Sequence, residues 1–398
     1  MVIYVIKGIY EIFKNDIKTV KRNPIAIAVL LVIICVPSLY ALVNLQATWD
    51  PYSKTSNIGV AVVDDDLGFD YGIHYDLGGT LSDQLKNNAD FNWQFVDRET
   101  AIEGVKNGKY YAAVIFPDNF SQELFTASDP PTVELMVNDK LGPIAPRITT
   151  TGVDAIITSG VDAVQSKIKF SSMDQNGVEE GTVELEKEHV YSTDNYGSTL
   201  APFYIAIALW IGGIMSVAFI TIRVKSEKKY QSTSVYLGRM GLFLIITFSQ
   251  TLITSLGLIL ILNIQTSSST LFILTTVFIG LCFMIIAYSL TSTFGNIGKI
   301  FVILLLLLQI STTGGTFPPE LLSPLFRDVH TYLPFTYAIG ALREVISGVL
   351  WSNYWYCIEI LAVFTISAFI LTLLLKGKLN RGTTKTEERL KKTGLFQV

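Results

Sequence analysis

Six long apolar stretches divide this chain, at residues 25–45, 201–222, 240–262, 271–293, 299–317 and 353–375. A helix needs about 20 consecutive apolar residues to cross a hydrocarbon core of about 30 Å. Each stretch is near or above that length, and Glu359 is the one acidic residue inside any of them. Residues 2–21 carry a different pattern. At about 100° per residue, Lys7, Glu11, Lys14, Lys18 and Lys21 share one narrow face, and Val2, Ile6, Ile9, Phe13, Ile17 and Val20 share another. That is an amphipathic helix suited to the headgroup plane. Asn23-Pro24 then breaks it and turns the chain into the first span.

Between the first two spans the period changes. Short β-rich runs at 57–64, 91–96, 110–117 and 132–139 alternate with helical stretches at 98–108 and 118–127. A longer helical pattern occupies 144–170, and 171–200 is polar and rich in Gly, Asp and Glu. This alternation predicts a small α/β domain. The predicted fold class is a polytopic α-helical membrane protein with six transmembrane helices, both termini cytoplasmic, and an α/β extracellular domain inserted between helices 1 and 2. Its parts are an interfacial helix at 1–24, helix 1 at 25–45, the ectodomain at 46–200, helices 2–6 within 201–375 and a basic tail at 376–398.

Charge sets the orientation. Lys and Arg concentrate in short cytoplasmic loops, whereas long domains translocate largely regardless of charge. Five basic residues precede the first span. Five more (Arg223, Lys225, Lys228, Lys229 and Arg239) lie around the gap between the second and third, and seven follow the sixth. Segment 46–200 holds ten basic against 25 acidic residues, a net −15. The overall charge of −4 averages a basic inner face and an acidic outer domain. The expected location is the cell membrane, with 46–200 outside. The first apolar run exceeds the 7–15 residues of a signal-peptide core, so an uncleaved anchor is expected. All three cysteines (Cys35, Cys282 and Cys357) fall within spans, which excludes a disulfide framework in the ectodomain.

Candidate chemistry is sparse. Asp64-Asp65-Asp66 with Gly68 and Asp70 fails the calcium-loop template, because Gly68 stands at the fifth loop position, where an acid or amide is required, and the bidentate Glu is missing. His74, His189 and His330 have no metal-ligand spacing. No phosphate-binding loop, zinc-protease motif or nucleophile elbow occurs. Catalytic residues, cofactors, metals and nucleic-acid partners are therefore not expected. Glu359 is the intramembrane acid, and such residues are functional candidates by default.

Residues 311–352 are too apolar for a free loop and too broken by Pro318, Pro319, Pro324 and Pro334 for a span. They predict a re-entrant element on the outer side. Gly314-Gly315 would let the fifth helix unwind. The expected outer gate comprises Gly314, Gly315, Phe317, Pro318, Pro334, Phe335, Tyr337, Arg343 and Glu344.

The strings FGNIGK (294–299), TGGTFPPELL (313–322) and LPFTYAIGALRE (333–344) resemble the C-terminal half of the YhgE/Pip family. IGVAVVDDDLG (58–68), FVDRETAIEGVKNGKYYAAVIFPDNFSQELF (95–125) and VNDKLGPIAPRIT (137–149) are similar to its extracellular region. The resemblance covers about 1–170 and 200–375. That family falls in the type-2 class of ABC-transporter membrane subunits. It implies a homodimer, or a pairing with a similar subunit, in the lipid bilayer. It further implies a separate cytoplasmic ATPase acting on a coupling loop between the second and third spans (Arg223, Lys225, Lys228, Lys229 and Arg239). The function implied is an exporter permease, and the absence of a charged track through the spans points to a lipid-like or amphiphilic substrate. The alternative is a non-transporting scaffold or receptor, like the secretion-accessory and phage-receptor members. Family members carry several hundred residues between the first two spans, often as coiled coils. Here about 155 residues stand in that place, so the distal stalk is missing.

Overall fold

The computed structural model describes residues 2–50, 52–71, 73–126, 132–138, 145–172, 193, 195–219, 230–312 and 322–392. Its elements in chain order are α1 (Val2–Arg22), α2 (Pro24–Ala47), β1 (Gly59–Asp64), β2 (Phe69–Tyr71), β3 (Ile73–Tyr75), α3 (Leu77–Lys86), β4 (Asn92–Phe95), α4 (Arg98–Lys106), β5 (Ala112–Phe116), α5 (Phe120–Thr126), β6 (Glu134–Val137), α6 (Ala145–Ser172), α7 (Tyr196–Phe219), α8 (Ser232–Leu260), α9 (Ser269–Phe294), α10 (Asn296–Thr312), α11 (Pro324–Val329), α12 (Pro334–Ser347) and α13 (Trp351–Lys392). They form two compact units, residues 1–49 with 189–398, and residues 50–188.

Among the described residues of the helical unit, five helices are long and apolar enough to cross a membrane: α2, α7 over Tyr196–Ala218, α8, α9 and α13 over Trp351–Leu375. The fifth predicted span, 299–317, corresponds in part to α10, which is apolar but only 17 residues long, about 25 Å at 1.5 Å per residue. Residues 313–317 of that expected span lie outside the described residues. Direction alternates along the bundle. Tyr236 of α8 meets Ser289 of α9 and Thr251 meets Gly280, so these helices are antiparallel. Thr275 meets Tyr354 and Thr293 meets Thr372, so α9 and α13 are parallel. The chain leaves this unit at Trp49, whose carbonyl accepts a 2.8 Å hydrogen bond from the Gly197 amide where the chain has returned. Buried hydroxyls mostly bond back to their own helix. Thr254 donates to Gln250, Ser255 to Thr251, Thr276 to Phe272 and Thr365 to Leu361. Without water, that is how a small polar side chain stays paired in an apolar helix.

The second unit is three-layered. A sheet of order β4-β1-β5-β6 has β1 parallel to both β4 and β5, while β6 is antiparallel to β5. Val60, Val62, Val114 and Phe116 face Leu77, Leu81, Phe120 and Val153 on one side. Ala61, Val63, Ala113 and Ile115 face Ala101, Val105 and Tyr110 on the other. Covering both faces explains why β1 and β5 read as continuous apolar runs. The hairpin β2–β3 and helix α3, not read from the sequence, fill the stretch between β1 and β4.

The acidic run after β1 closes this fold. The Asp66 carboxylate accepts from the amides of Gly78 and Ser121, each at 2.9 Å, and from the Ser121 hydroxyl. Asp65 pairs with Arg98 at 2.9 Å, and Arg98 reaches Glu134 at 3.3 Å. Among the described residues no cluster of His, Cys, Asp or Glu has metal-binding geometry. Asp97 caps α4 by accepting from the Thr100 amide and hydroxyl, and these bonds hold its carboxyl below the ordinary 3.8.

Two substitutions test this account. Asp66→Ala strands donors at the starts of both α3 and α5, and should destabilise this unit by on the order of 3 kcal/mol. Asp97→Ala acts through ionisation. A depressed carboxyl stabilises above its unfolded value and loses that contribution as pH falls. The Asp97→Ala deficit should therefore be full at neutral pH and shrink below about pH 4. Hydrogen exchange of peptides within 59–116 in the full chain reads both.

Candidate functional site

The site is built where α1 meets the start of α8. Asn23 sets the geometry: its side chain accepts from the amides of Ile25 and Ala26, at 3.0 and 3.3 Å, and Pro24 opens α2. The chain turns there, and α1 lies back against α8. The face in contact is Gly8, Ile12 and Asp16, all buried. That is roughly a quarter turn from the apolar set expected to face lipid. Ile6 and Tyr10 from the remaining apolar surface stay exposed, beside exposed Lys7, Lys14 and Lys18.

Small residues allow the approach. A Cβ on Gly8 would lie 2.9 Å from the Tyr230 ring, one on Gly238 would lie 2.8 Å from the Ile12 Cβ, and one on Gly241 would lie 2.8 Å from the Phe13 ring. Polar contacts then fasten the pair. Tyr230 donates its hydroxyl to Glu11, and that bond to a carboxylate holds the tyrosine above its ordinary 10.0. The Asp16 carboxylate, with no solvent exposure, lies 3.7 Å from Arg239 Nε. Arg239 is thus a structural partner of α1 as well as part of the expected coupling loop. Arg223, Lys225, Lys228 and Lys229 lie outside the described residues. Asp16 was not singled out from the sequence. The available signal was an acid on the side of the helix opposite its basic face.

At the other end of α8 sits α12. Ser267, just beyond α8, donates its amide to Val345 of α12 at 2.9 Å. Pro334 opens α12, and Phe335 lies in the bundle interior, stacked on Phe283 at 5.3 Å and edge-on to Trp210 at 6.0 Å. Phe283 is about 20 Å along α9 from its first residue, so α12 starts in the middle of the bundle and runs back to the end where α9 begins. Tyr337 is buried, with its hydroxyl donating to the Thr331 carbonyl at 2.7 Å and its ring against Tyr356 and Phe364. Glu344 holds the start of α13, accepting from the Leu350 amide at 2.6 Å and from Asn353 at 2.5 Å. Arg343 is exposed on the same helix, and Glu359 is exposed about two turns into α13. Gly314, Gly315, Phe317 and Pro318 lie outside the described residues.

Two ends of one bundle are therefore differently built, one basic and carrying α1, the other carrying α12 and the Glu344 cap. Comparison with known proteins decides what kind of bundle this is. Residues 25–374 match the family described as ABC-2 family transporter protein. The chain belongs to that family. It is a multi-pass membrane protein of a class of transport permeases. YhgE of Bacillus subtilis (strain 168) is 28% identical over 207 residues, which are 52% of this chain and 27% of YhgE. The type VII secretion system accessory factor EsaA of Staphylococcus aureus (strain USA300) is 29% identical over 99 residues, 25% of this chain and 10% of EsaA. The chain thus matches about a quarter of the length of YhgE and a tenth of EsaA. No solved structure matches.

Removing one partner of a buried ion pair leaves the other charge stranded, at a cost of about 3 kcal/mol where one side keeps some solvent access. Asp16→Ala should lower the thermal unfolding midpoint of the detergent-solubilised protein accordingly. Asp16→Ala combined with Arg239→Leu should recover at least half of the loss. Equal midpoints for wild type and Asp16→Ala would remove the pair from the account.

Proposed function

We propose that this chain is the membrane subunit of an exporter, working as a homodimer and driven by a separate cytoplasmic ATPase. The reading is carried by the fastening of α1 to the first third of α8 through Asp16, Arg239, Glu11 and Tyr230. A push on residues 223–239 or on α1 then reaches the membrane helices through one body, and family membership supports an ATPase as the source of that push. The end that carries α1 is the basic end, so the charge rule puts it in the cytoplasm. Segment 46–200 is then extracellular, and α12 with the residues before it forms the outer gate. Cargo moves outward and is lipid-like or amphiphilic, because among the described residues Asp16 is the one buried acid of the bundle and its other buried polar groups are neutral amides and hydroxyls, with no ladder of charges to carry an ionic solute.

A second reading, a non-transporting scaffold whose ectodomain holds a partner, is favoured by the similarity to a protein named as a secretion accessory factor. Association with an ATPase separates the two.

Orientation is tested by single cysteines at Lys14, Lys228, Lys385, Lys86 and Lys140, labelled on intact cells with an impermeant thiol reagent. Positions 86 and 140 should label and the other three should not; labelling at 228 would overturn the orientation. Coupling is tested by Lys225→Glu, Lys228→Glu and Lys229→Glu together. The triple variant should insert correctly and lose at least tenfold of its copurifying ATPase. Undiminished association, or no ATPase with wild type, would favour the scaffold.

A further inference from the structure

Pro37 stands inside α2. A helix proline has no N–H, so the carbonyl four residues earlier loses its helical partner, and the ring crowds that carbonyl as well. Here the freed carbonyl belongs to Ile33. It is not left bare: Gln250 of α8 donates Nε2 to it at 2.9 Å. The same amide nitrogen lies 3.2 Å from Ser216 Oγ and 3.3 Å from the Gly212 carbonyl on α7. Gln250 is 1% exposed and Ser216 fully buried. Gly212 is required at this point, since a Cβ there would lie 2.8 Å from the Pro37 ring. One side-chain amide therefore ties three helices together at the break in α2.

The break also divides α2 by packing. Its buried residues are Ile33, Ile34, Pro37, Ser38, Ala41 and Leu45, and none precedes Ile33. Residues 24–32 form an arm joined to α1, with Ile25, Val29, Leu31 and Val32 exposed. Beside that arm lies an open apolar groove of about 330 Å³, lined by Ala28, Val29, Val32 and Ile33 of α2 and Met215 of α7.

We propose that α2 is hinged at Pro37, that its arm swings into the groove towards Met215, and that Gln250 is the latch holding the arm in the position seen here. Release of the Ile33 carbonyl is the switching event. The device extends the transport reading and does not depend on it, because the hinge needs neither ATPase nor substrate to move.

The test is disulfide trapping between cysteines placed at Val29 and Met215, in a Cys35→Ser background, in purified protein reconstituted in vesicles without nucleotide. Gln250→Leu keeps the volume and removes the latch, so the cross-link should form about five- to tenfold faster, as expected for one lost hydrogen bond of ordinary strength. Pro37→Ala supplies an N–H to Ile33 from within α2 and should slow cross-linking below wild type. Combining it with Gln250→Leu should cancel most of the acceleration. A Gln250→Leu rate within twofold of wild type would overturn the latch, as would a double variant cross-linking as fast as Gln250→Leu alone. Should Gln250→Leu fail to fold, a folded Pro37→Ala/Gln250→Leu protein supports the proposal, and an unfolded one overturns it.

Discussion

Inside a hydrocarbon layer an unpaired amide or carbonyl has no water to turn to, and each one costs several kcal/mol. The helical unit is organised around that constraint. At four places where the regular ladder of hydrogen bonds stops, a side chain takes its place. Gln250 covers the Ile33 carbonyl that Pro37 leaves open. Glu344 receives the first amide ahead of α13. Lys299 reaches the Ala218 carbonyl near the end of α7 at 3.4 Å. Asn23 receives the first amides of α2. Each interruption is a place where a helix could bend or end, and each substitute partner sets how firmly it is held.

The distribution of these partners gives the bundle two unlike ends and a polar tie between them. α8 is the common member. Its first third carries α1 through close glycine contacts and the Asp16–Arg239 pair, its middle carries Gln250, and the turn beyond it is pinned to α12 through Ser267. This helix of 29 residues, about 43 Å long, packs against α1, α2, α7, α9 and α13. Close packing at Gly238, Gly241 and Gly280 brings α8 against α1 on one side and α9 on another.

The inserted unit follows a different logic, that of a small sheet with both faces covered. Its acidic run resembles a cation loop only in composition. Asp66 is occupied by backbone amides and a serine, and Asp65 by arginine, so these carboxylates close turns at the carboxyl ends of β1 and β5.

Much was legible because it is local. Twenty apolar residues in a row, a short continuous apolar run such as GVAVVD, and Asn-Pro between two helical patterns each report on their own neighbourhood. From them came the apolar helices, the α/β insertion and the turn at Asn23. The α3 helix and the β2–β3 hairpin escaped because their apolar residues are few and interrupted by glycine. Pairing between distant segments was not legible at all. That Asp16 finds Arg239, that Gln250 finds Ile33, and that Phe335 packs against both Trp210 and Phe283 depends on which helices lie side by side. Glycines at the crossings decide that by how close they let two backbones come. Hydrophobic periodicity tells which side of a helix is apolar; only the tertiary structure says which neighbour that side meets.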